Sequence, residues 1–269
     1  MQNQLSIPNL RILLAEDNTA NRLVAQSLLE NSGHTVLTTE HGADALDSLD
    51  QNIFDLILLD VMMPVLDGLR TLRRIRRQFP ERGSMPIFAL TAYTAIQDQQ
   101  RYRLAGFDAI VKKPLRQGDI EQAWQDYHDP NRAPDLKPET ESFSESPPYL
   151  DMNMIQQIKS STTTQRRADI LSNYWSSMEE LCKALRAQLP TALKGQPQAL
   201  TEFRRTIHAI KGASLSIGAY RVAEAARLLR NAPPSDIPTH MHSLVMALKQ
   251  SRSRLSTAYS DTNLTLRTG

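Results

Sequence analysis

The 269-residue sequence predicts two folds in succession: a flavodoxin-like, doubly wound five-stranded parallel α/β sheet and an all-α four-helix bundle. In the first half, short apolar runs alternate with amphipathic segments, which is the pattern of βα units that build a parallel sheet. After about residue 150 the strand pattern stops, and long amphipathic segments are separated only by Pro and Gly breaks.

The composition changes twice along the chain and sets the expected boundaries. Five prolines and many polar residues lie between the two halves, where Leu136 and Phe143 are the only large apolar side chains. Such a stretch cannot bury enough surface to fold alone. We therefore expect a first domain at 9–128, a Pro/Ser/Glu-rich linker at 129–149, a helical bundle at 150–259 and a flexible tail at 260–269.

Each element of the first domain has its own signal. The run 55–60 is apolar and ends in Asp60, which is typical of a strand buried on both faces. Asn18 or Thr19 can cap the first helix, and Gly33 can end it. The predicted strands cover 11–15, 34–39, 55–60, 85–90 and 109–112, and the predicted helices cover 19–31, 42–49, 68–78, 95–104 and 117–127.

The second half is predicted as helices joined by short breaks. Pro190 is expected to close the longest helix, and Gly218 and the Pro233-Pro234 pair are expected to separate those that follow. The predicted helices cover 150–158, 164–189, 197–217, 219–231 and 238–258.

The bulk properties favour a cytoplasmic protein. A formal net charge of +2 gives no reason to expect nucleic acid or a membrane as the main partner. The single cysteine, Cys182, excludes an intrachain disulfide and suits a reducing compartment. The first residues lack a secretion signal, and no apolar stretch approaches the roughly 20 residues that span a bilayer.

Polar residues at the strand ends predict a phosphoryl-transfer site. In a sheet of order 2-1-3-4-5, strands one and three are adjacent, so Glu16 and Asp17 come beside Asp60. Three crowded carboxylates need a cation, and an all-oxygen ligand set suits Mg²⁺ better than zinc. Thr91 and Lys113 end strands four and five and add a hydroxyl and an ammonium group. A nucleophilic carboxylate with Mg²⁺, Lys and a hydroxyl is suited to phosphoryl transfer.

The residues at these positions resemble the receiver domain of two-component response regulators over nearly all of 10–127. The motifs that carry the resemblance are Glu16-Asp17, Asp60, Met63-Pro64-x-x-Asp67-Gly68, Thr91-Ala92 and Lys113-Pro114. The resemblance implies that Asp60 is phosphorylated as an acyl phosphate. It also implies that Lys113 pairs with the phosphoryl group and that Thr91 closes onto it.

The same resemblance implies a Mg²⁺ site made by Asp17, Asp60 and the backbone carbonyl of Met62, with Glu16 acting through water. One position departs from the family pattern, because Ile110 replaces the usual Tyr or Phe three residues before the lysine. The aromatic rotamer that is coupled to Thr91 would then be missing, which puts a strong conformational output from that face in doubt.

The residues of the first domain also bear on two other functions. A haloacid-dehalogenase-like phosphatase also uses an Asp after a strand, but it needs a second Asp two residues on, where this chain has Met62. The arginine-rich helix at 68–78 could contact DNA, although a solvated charged face is the commoner explanation. The chain has no P-loop and no G-x-G-x-x-G motif.

His208 is the candidate residue of the second domain. At 100° per residue, Phe203, Ile207 and Ile210 share one helical face, and His208 lies off it. Arg204 and Lys211 lie one turn away on either side and supply positive charge for an added phosphate. They should also favour the neutral, nucleophilic imidazole.

The glycine after Lys211 is the second signal. Gly212 costs a helix interior about 1 kcal/mol relative to Ala, which suggests that another surface must approach closely there.

The string that begins at His208 resembles the signature of histidine-containing phosphotransfer (HPt) domains, over about 150–258. The matching stretch reads His208-Ala-Ile-Lys211-Gly212-Ala-Ser214-Leu-Ser-Ile217-Gly218-Ala219. The resemblance implies that His208 carries phosphate, with Lys211 as electrostatic support and Gly212 as clearance. A histidine-kinase dimerisation helix fits less well, because Ala209 stands where an acidic residue is expected.

Together these features predict a phosphorelay protein, similar to the C-terminal part of a hybrid sensor histidine kinase. The resemblance implies a sensor histidine kinase and response regulator or HPt proteins as partners, with no nucleic acid and no membrane contact by this chain itself. No ATP-binding segment follows the second domain, so the chain is not expected to make phosphohistidine from ATP. The alternative is a regulatory binding module, in which Asp60 phosphorylation controls docking of the bundle and His208 transfers nothing.

Overall fold

Five parallel strands form one sheet in the first half of the chain, in the order β2-β1-β3-β4-β5. The computed structural model describes residues 7–80, 85–92, 96–129, 148–194 and 196–260. The strands are β1 (Arg11–Ala15), β2 (Thr35–Thr39), β3 (Leu56–Asp60), β4 (Ile87–Thr91) and β5 (Ala109–Lys112). Their register aligns Ala15 with both Thr39 and Leu59, so the ends of β1, β2 and β3 lie at one edge of the sheet.

Helices cover both faces of this sheet. They are α1 (Thr19–Asn31), α2 (Gly42–Gln51), α3 (Gly68–Gln78), α4 (Ile96–Ala105) and α5 (Asp119–His128). One apolar cluster joins alternate strand residues to α2, α3 and α4, and a second joins the remaining ones to α1 and α5. Every residue of β3 is buried, as the continuous apolar run predicts for a central parallel strand. The predicted doubly wound α/β fold is confirmed.

A helix cap and two glycines fix where the helices next to the polar loops begin and end. The Asn18 side chain caps α1 by accepting a hydrogen bond from the backbone N–H of Asn21 at 3.0 Å. Gly33, with φ of 94°, follows the end of α1 and allows the left-handed turn into β2. Gly68 begins α3 against the end of β3, where a Cβ atom would lie 2.3 Å from the carbonyl oxygen of Asp60.

The second half contains only helices among its described residues. They are α6 (Met152–Ser161), α7 (Thr164–Leu193), α8 (Pro197–Ser216), α9 (Tyr220–Asn231) and α10 (Ile237–Tyr259). The four long helices α7 to α10 pack in sequence, and α10 also contacts α7 and the short α6. Two buried tyrosines complete this core: Tyr174 is hydrogen bonded to Ser214 at 3.1 Å, and Tyr259 donates to the carbonyl of Ile217 at 2.9 Å. The predicted four-helix bundle is confirmed.

One helix end was predicted wrongly. Pro190 does not close α7, which continues through the proline to Leu193. A proline this close to the C-terminal end removes one backbone hydrogen bond. Ala192 is fully buried in the bundle, and its packing stabilises the extra turn.

The boundaries at 9–128, 129–149, 150–259 and 260–269 stay predictions. Contact clustering divides the chain into units at Met1–Phe143 and Ser144–Gly269. Most of the expected linker, 130–147, and the expected tail from 261 onward lie outside the described residues. Within the described part of the chain, no helix has the length and apolarity needed to cross a membrane.

Candidate functional site

Asp60 lies at the carboxyl end of β3, in the centre of the polar residues that the sequence predicts as a site. Only 4% of the residue is exposed. Its Oδ2 lies 2.7 Å from Nζ of Lys113, and its Oδ1 accepts a hydrogen bond from the backbone N–H of Met62 at 3.0 Å. Both carboxylate oxygens are therefore held by donors, which fixes the orientation of the group.

Three carboxylates converge at this edge of the sheet. Glu16, Asp17 and Asp60 each offer one oxygen, and these oxygens lie within 4.8 Å of one another. Glu16 and Asp60 are buried, whereas Asp17 is exposed. Carboxylate oxygens at this spacing suit a hard divalent cation, so the residues fit the Mg²⁺ that the sequence predicts.

Glu16 is engaged by other side chains at both of its oxygens. Its Oε2 forms an ion pair with Lys113, and its Oε1 accepts a hydrogen bond from the Asn21 side chain at 2.9 Å. The backbone N–H of Asn18 donates to the same Oε1 at 3.4 Å. Asp60 is held at both oxygens as well, so these contacts do not rank the carboxylates, and Asp17 and Asp60 stay the predicted direct ligands of a cation. The backbone carbonyl of Met62, which belongs to the loop after Asp60, stays a predicted ligand.

Strands β4 and β5 bring Thr91 and Lys113 to the same edge. Thr91 is the last residue of β4 and is 2% exposed. Its carbonyl oxygen accepts a hydrogen bond from the backbone N–H of Lys113 at 2.8 Å. Ile110, the residue that departs from the family pattern, is half-buried and packs against the apolar cluster under α2, α3 and α4.

The electrostatics of the site follow from burial. Burial raises the pKa of Asp60 to about 7, and the neighbouring Glu16 and Asp17 add to the effect while Lys113 opposes it. Burial lowers the pKa of Lys113, but the carboxylates of Asp60 and Glu16 outweigh it and hold that pKa above its ordinary value. Lys113 is therefore an ammonium group at neutral pH, as pairing with a phosphoryl group requires.

In the second unit, His208 lies on α8 and is half-buried. Phe203, Ile207 and Ile210 are buried beneath it, as the helical periodicity predicts. The two basic neighbours differ, since Arg204 is exposed and Lys211 is only 9% exposed.

Gly212 lies one turn after His208. A Cβ atom at this position would meet no atom within 4 Å, apart from the backbone of its own helix. Packing within the protein therefore gives no reason for a glycine there. Gly212 is itself buried, and its role as clearance for a partner stays a prediction.

Sequence reasoning assigned no role to two residues of the α1 helix that reach the site. Asn21 bonds to Glu16, and the Arg22 guanidinium donates to the backbone carbonyl of Glu16 at 2.8 Å. Arg22 occupies the same face of α1 as the buried residues Ala25 and Leu29. A charged residue in that register was the available signal, because a buried arginine needs specific partners.

Comparison with known families identifies both units. Residues 12–125 match the family model "Response regulator receiver domain", and residues 169–257 match the model "Hpt domain". The chain joins a receiver domain to an Hpt domain. This is the arrangement found at the C-terminal end of hybrid sensor kinases. The pair supports phosphorelay signalling, and no comparison favours the binding-module alternative.

Curated relatives match both the receiver and the Hpt domain. The aerobic respiration control sensor protein ArcB of Escherichia coli (strain K12) is 30% identical over 217 residues, covering 81% of this chain and 27% of ArcB. The sensor histidine kinase AruS of Pseudomonas aeruginosa is 33% identical over 215 residues, covering 79% of this chain and 20% of AruS. The chain thus spans about a quarter of the length of these relatives.

Solved structures of receiver proteins match about 45% of this chain. The receiver domain of sensor histidine kinase PA1611 from Pseudomonas aeruginosa is 33% identical, covering 45% of this chain and 98% of its own, with a TM-score of 0.41. That structure has a magnesium ion coordinated in its active-site cleft. The chemotaxis response regulator CheY4 of Vibrio cholerae is 26% identical, covering 45% of this chain and 99% of its own, with a TM-score of 0.42.

Proposed function

We propose that this chain passes a phosphoryl group between histidine and aspartate, with Asp60 as the receiver's phosphate carrier and His208 as that of the Hpt domain. The observation that carries the proposal is the buried Asp60 carboxylate, held 2.7 Å from the Lys113 ammonium beside two further carboxylates. An aspartate that only contacts solvent would not be buried next to an ammonium group and two further carboxylates. An arrangement of this kind stabilises the charge of a phosphoryl group during transfer.

In the proposed transfer step, the phosphoryl group moves from a histidine nitrogen to an oxygen of Asp60. An oxygen of the Asp60 carboxylate attacks the phosphorus of an incoming phosphohistidine as the N–P bond breaks. The electron pair of that bond returns to the imidazole nitrogen, and the aspartate becomes an acyl phosphate. Met62 and Lys113 hold the carboxylate in place, which lowers the cost of reaching an in-line geometry.

We propose Mg²⁺ as the cation of the receiver site. Asp17, Asp60 and the carbonyl of Met62 would hold it directly, and Glu16, whose oxygens contact Lys113 and Asn21, would act through a water molecule. When bound, the ion would supply positive charge that offsets the three carboxylates and the phosphoryl oxygens. Lys113 contributes a second positive charge, and the Thr91 hydroxyl is proposed to donate to the phosphoryl group after transfer.

His208 is proposed to exchange phosphate with a receiver aspartate, either Asp60 or one on another chain. Its support is the half-exposed imidazole on α8, together with the absence of any atom within 4 Å of a Cβ placed at the buried Gly212, apart from its own helix backbone. Lys211 and Arg204 place positive charge within one helical turn on either side. A sensor histidine kinase upstream and response regulator or Hpt proteins downstream are the proposed partners, in the cytoplasm.

Radiolabelled phosphate separates this proposal from the binding-module alternative. The chain is loaded from a phosphorylated kinase in the presence of a receiver partner, and the label is tested for stability in acid and base. Unaltered protein should carry base-labile label on Asp60 and acid-labile, base-stable label on His208. Asp60→Asn should remove the first and His208→Gln the second.

Two variants serve as matched controls. Asp47→Asn changes an exposed aspartate of α2, and His242→Gln changes an exposed histidine of α10, so neither should alter the labelling. Acid-labile, base-stable label that persists in His208→Gln would exclude His208 as the carrier. Label that is only base-labile in the unaltered protein, with partner receivers present, would favour the binding module.

A further inference from the structure

Arg22 is a buried cation beside the receiver site that the proposed chemistry does not use. It lies in the first turn of α1, and only 8% of the residue is exposed. Burying a guanidinium group is costly unless its N–H groups find partners. The identity of those partners therefore indicates what the residue does.

The partners of Arg22 are the backbone of the acidic loop, one carboxylate and, at 3.4 Å from its Nη2, the hydroxyl of Thr19 at the start of the same helix. Its Nη1 donates to the carbonyl oxygens of Glu16 at 2.8 Å and Asp17 at 3.4 Å. Its Nη2 lies 2.7 Å from Oε1 of Glu40, which directly follows β2. The guanidinium thus ties the loop after β1 to the loop after β2, and it binds the backbone of two residues whose carboxylates reach the cation site.

Two residues in the first turn of α1 bind the acidic loop after β1. Asn21 holds the side chain of Glu16 through its amide, whereas Arg22 holds the backbone at Glu16 and Asp17. Asn18, the cap of α1, fixes where this turn begins. The backbone that Arg22 holds carries the exposed Asp17 carboxylate, one oxygen of which lies within 4.8 Å of oxygens of Glu16 and Asp60.

We propose that Arg22 is a positioning residue for the divalent cation of the receiver, acting through the backbone carbonyls of Glu16 and Asp17. This inference rests on the proposed binding of Mg²⁺ at that site. Groups that orient metal ligands without touching the metal commonly change its affinity by about 10- to 100-fold when they are lost.

The sign of the effect distinguishes positioning from simple charge. Removing a positive charge beside three carboxylates makes the site more negative, so Coulomb attraction alone predicts tighter Mg²⁺ binding. A positioning role predicts weaker binding, because the Asp17 carboxylate is then no longer aimed at Asp60.

The test is a calorimetric Mg²⁺ titration of the whole chain and its variants. Arg22→Met should raise the dissociation constant by about tenfold. Arg22→Lys keeps the charge but loses the forked donor geometry, so it should also bind more weakly, by a smaller factor. Without Mg²⁺, backbone amides at 16–18 should exchange hydrogen faster in both variants than in the unaltered protein, while the strand amides keep their protection.

Two controls separate the contacts of Arg22. Glu40→Gln removes the partly exposed ion pair but leaves the bonds to the backbone carbonyls, so Mg²⁺ affinity should be unchanged. Arg73→Met removes an exposed arginine of α3 and should have no effect either. If thermal melting shows that Arg22→Met is unfolded, the Mg²⁺ affinity of the charge-conserving Arg22→Lys is compared with that of the unaltered protein instead.

Two results would overturn the inference. Arg22 variants that bind Mg²⁺ as tightly as the unaltered protein, or more tightly, would show that the residue only stabilises the fold. If the unaltered protein takes up no Mg²⁺, the proposed cation site itself is wrong and the role of Arg22 falls with it.

Discussion

The ammonium group of Lys113 lies 2.7 Å from the carboxylate of Asp60 and also forms an ion pair with Glu16. Lys113 follows β5, Asp60 ends β3 and Glu16 follows β1, so one side chain joins the ends of three strands. All three groups are buried, and removing any one of them leaves the others poorly compensated. The site is thus organised around a cation that belongs to the protein.

Loss of the Lys113 charge should slow phosphorylation of Asp60. Lys113→Met removes the group that opposes the negative charge of the transferring phosphoryl group, and losses of this kind cost about 10²- to 10³-fold in rate. The measurement is the initial rate of acyl phosphate formation from a phosphorylated Hpt donor. Lys112→Met, one residue earlier and half-exposed, is the control and should react at the unaltered rate. Equal rates for the two variants would remove Lys113 from the mechanism.

A methyl group at Gly68 should destabilise the receiver. In Gly68→Ala the new Cβ would lie 2.3 Å from the carbonyl oxygen of Asp60 and 2.8 Å from Cα of Val61. Both are backbone atoms at the end of β3, so the strand end itself must move. We expect a loss of about 1–3 kcal/mol in the free energy of unfolding of the receiver. Denaturant unfolding followed through receiver amides by NMR measures it, and an unchanged midpoint would contradict the close approach.

A methyl group at Gly212 should stabilise its domain, in contrast to Gly68, and should slow phosphate transfer. Because its Cβ would meet nothing outside the backbone of its own helix, Gly212→Ala should raise the free energy of unfolding of the Hpt domain by up to about 1 kcal/mol. The same variant should exchange phosphate with a receiver more slowly, since the methyl group occupies space that the partner needs. Thermal unfolding and single-turnover transfer are measured on the same samples. A stabilised variant that transfers at the unaltered rate would remove the clearance role.

His34 should make receiver stability depend on pH. Only 6% of the residue is exposed, and its Nδ1 accepts a hydrogen bond from the backbone N–H of Leu10 at 3.3 Å. Burial lowers the pKa of His34, and the nearby Glu121 opposes this only in part. The unfolded chain therefore takes up this proton at a higher pH than the folded one. The free energy of unfolding should fall as the pH drops through 6.5, the ordinary value for the imidazole.

The measurement for His34 is denaturant unfolding of the receiver between about pH 7 and pH 5. His34→Gln should flatten the dependence over this window. His128→Gln, which changes an exposed histidine at the end of α5, should leave it as it is. A slope that persists in His34→Gln would assign the effect to other groups.

Much of the receiver could be predicted because its signals are local. The apolar run before Asp60 requires a buried strand, and the sheet order then brings Glu16 and Asp17 beside it. In the same way, periodicity along α8 separates His208 from the buried face of Ile207 and Ile210. Spacing along the chain is enough for these conclusions, because strand and helix geometry are regular.

Contacts between distant segments were not available from the sequence. A proline signals a helix end locally, yet burial of Ala192 carries α7 past Pro190. His34 lies at the start of the predicted second strand, but its burial and its hydrogen bond to the backbone of Leu10, on a distant segment, come only from the structure. The neighbouring residues in the sequence predict neither outcome, because the burial of a residue depends on which distant segments pack over it.

The sequence by itself determined which residue types stand at the ends of the strands, and so the class of chemistry. Only the tertiary structure decided how they are joined: Lys113 bridges Asp60 and Glu16, and Arg22 holds the backbone of the acidic loop. The physical reason is that charged side chains leave water only for specific partners. Those partners come together only when β1, β3 and β5 are packed in one sheet.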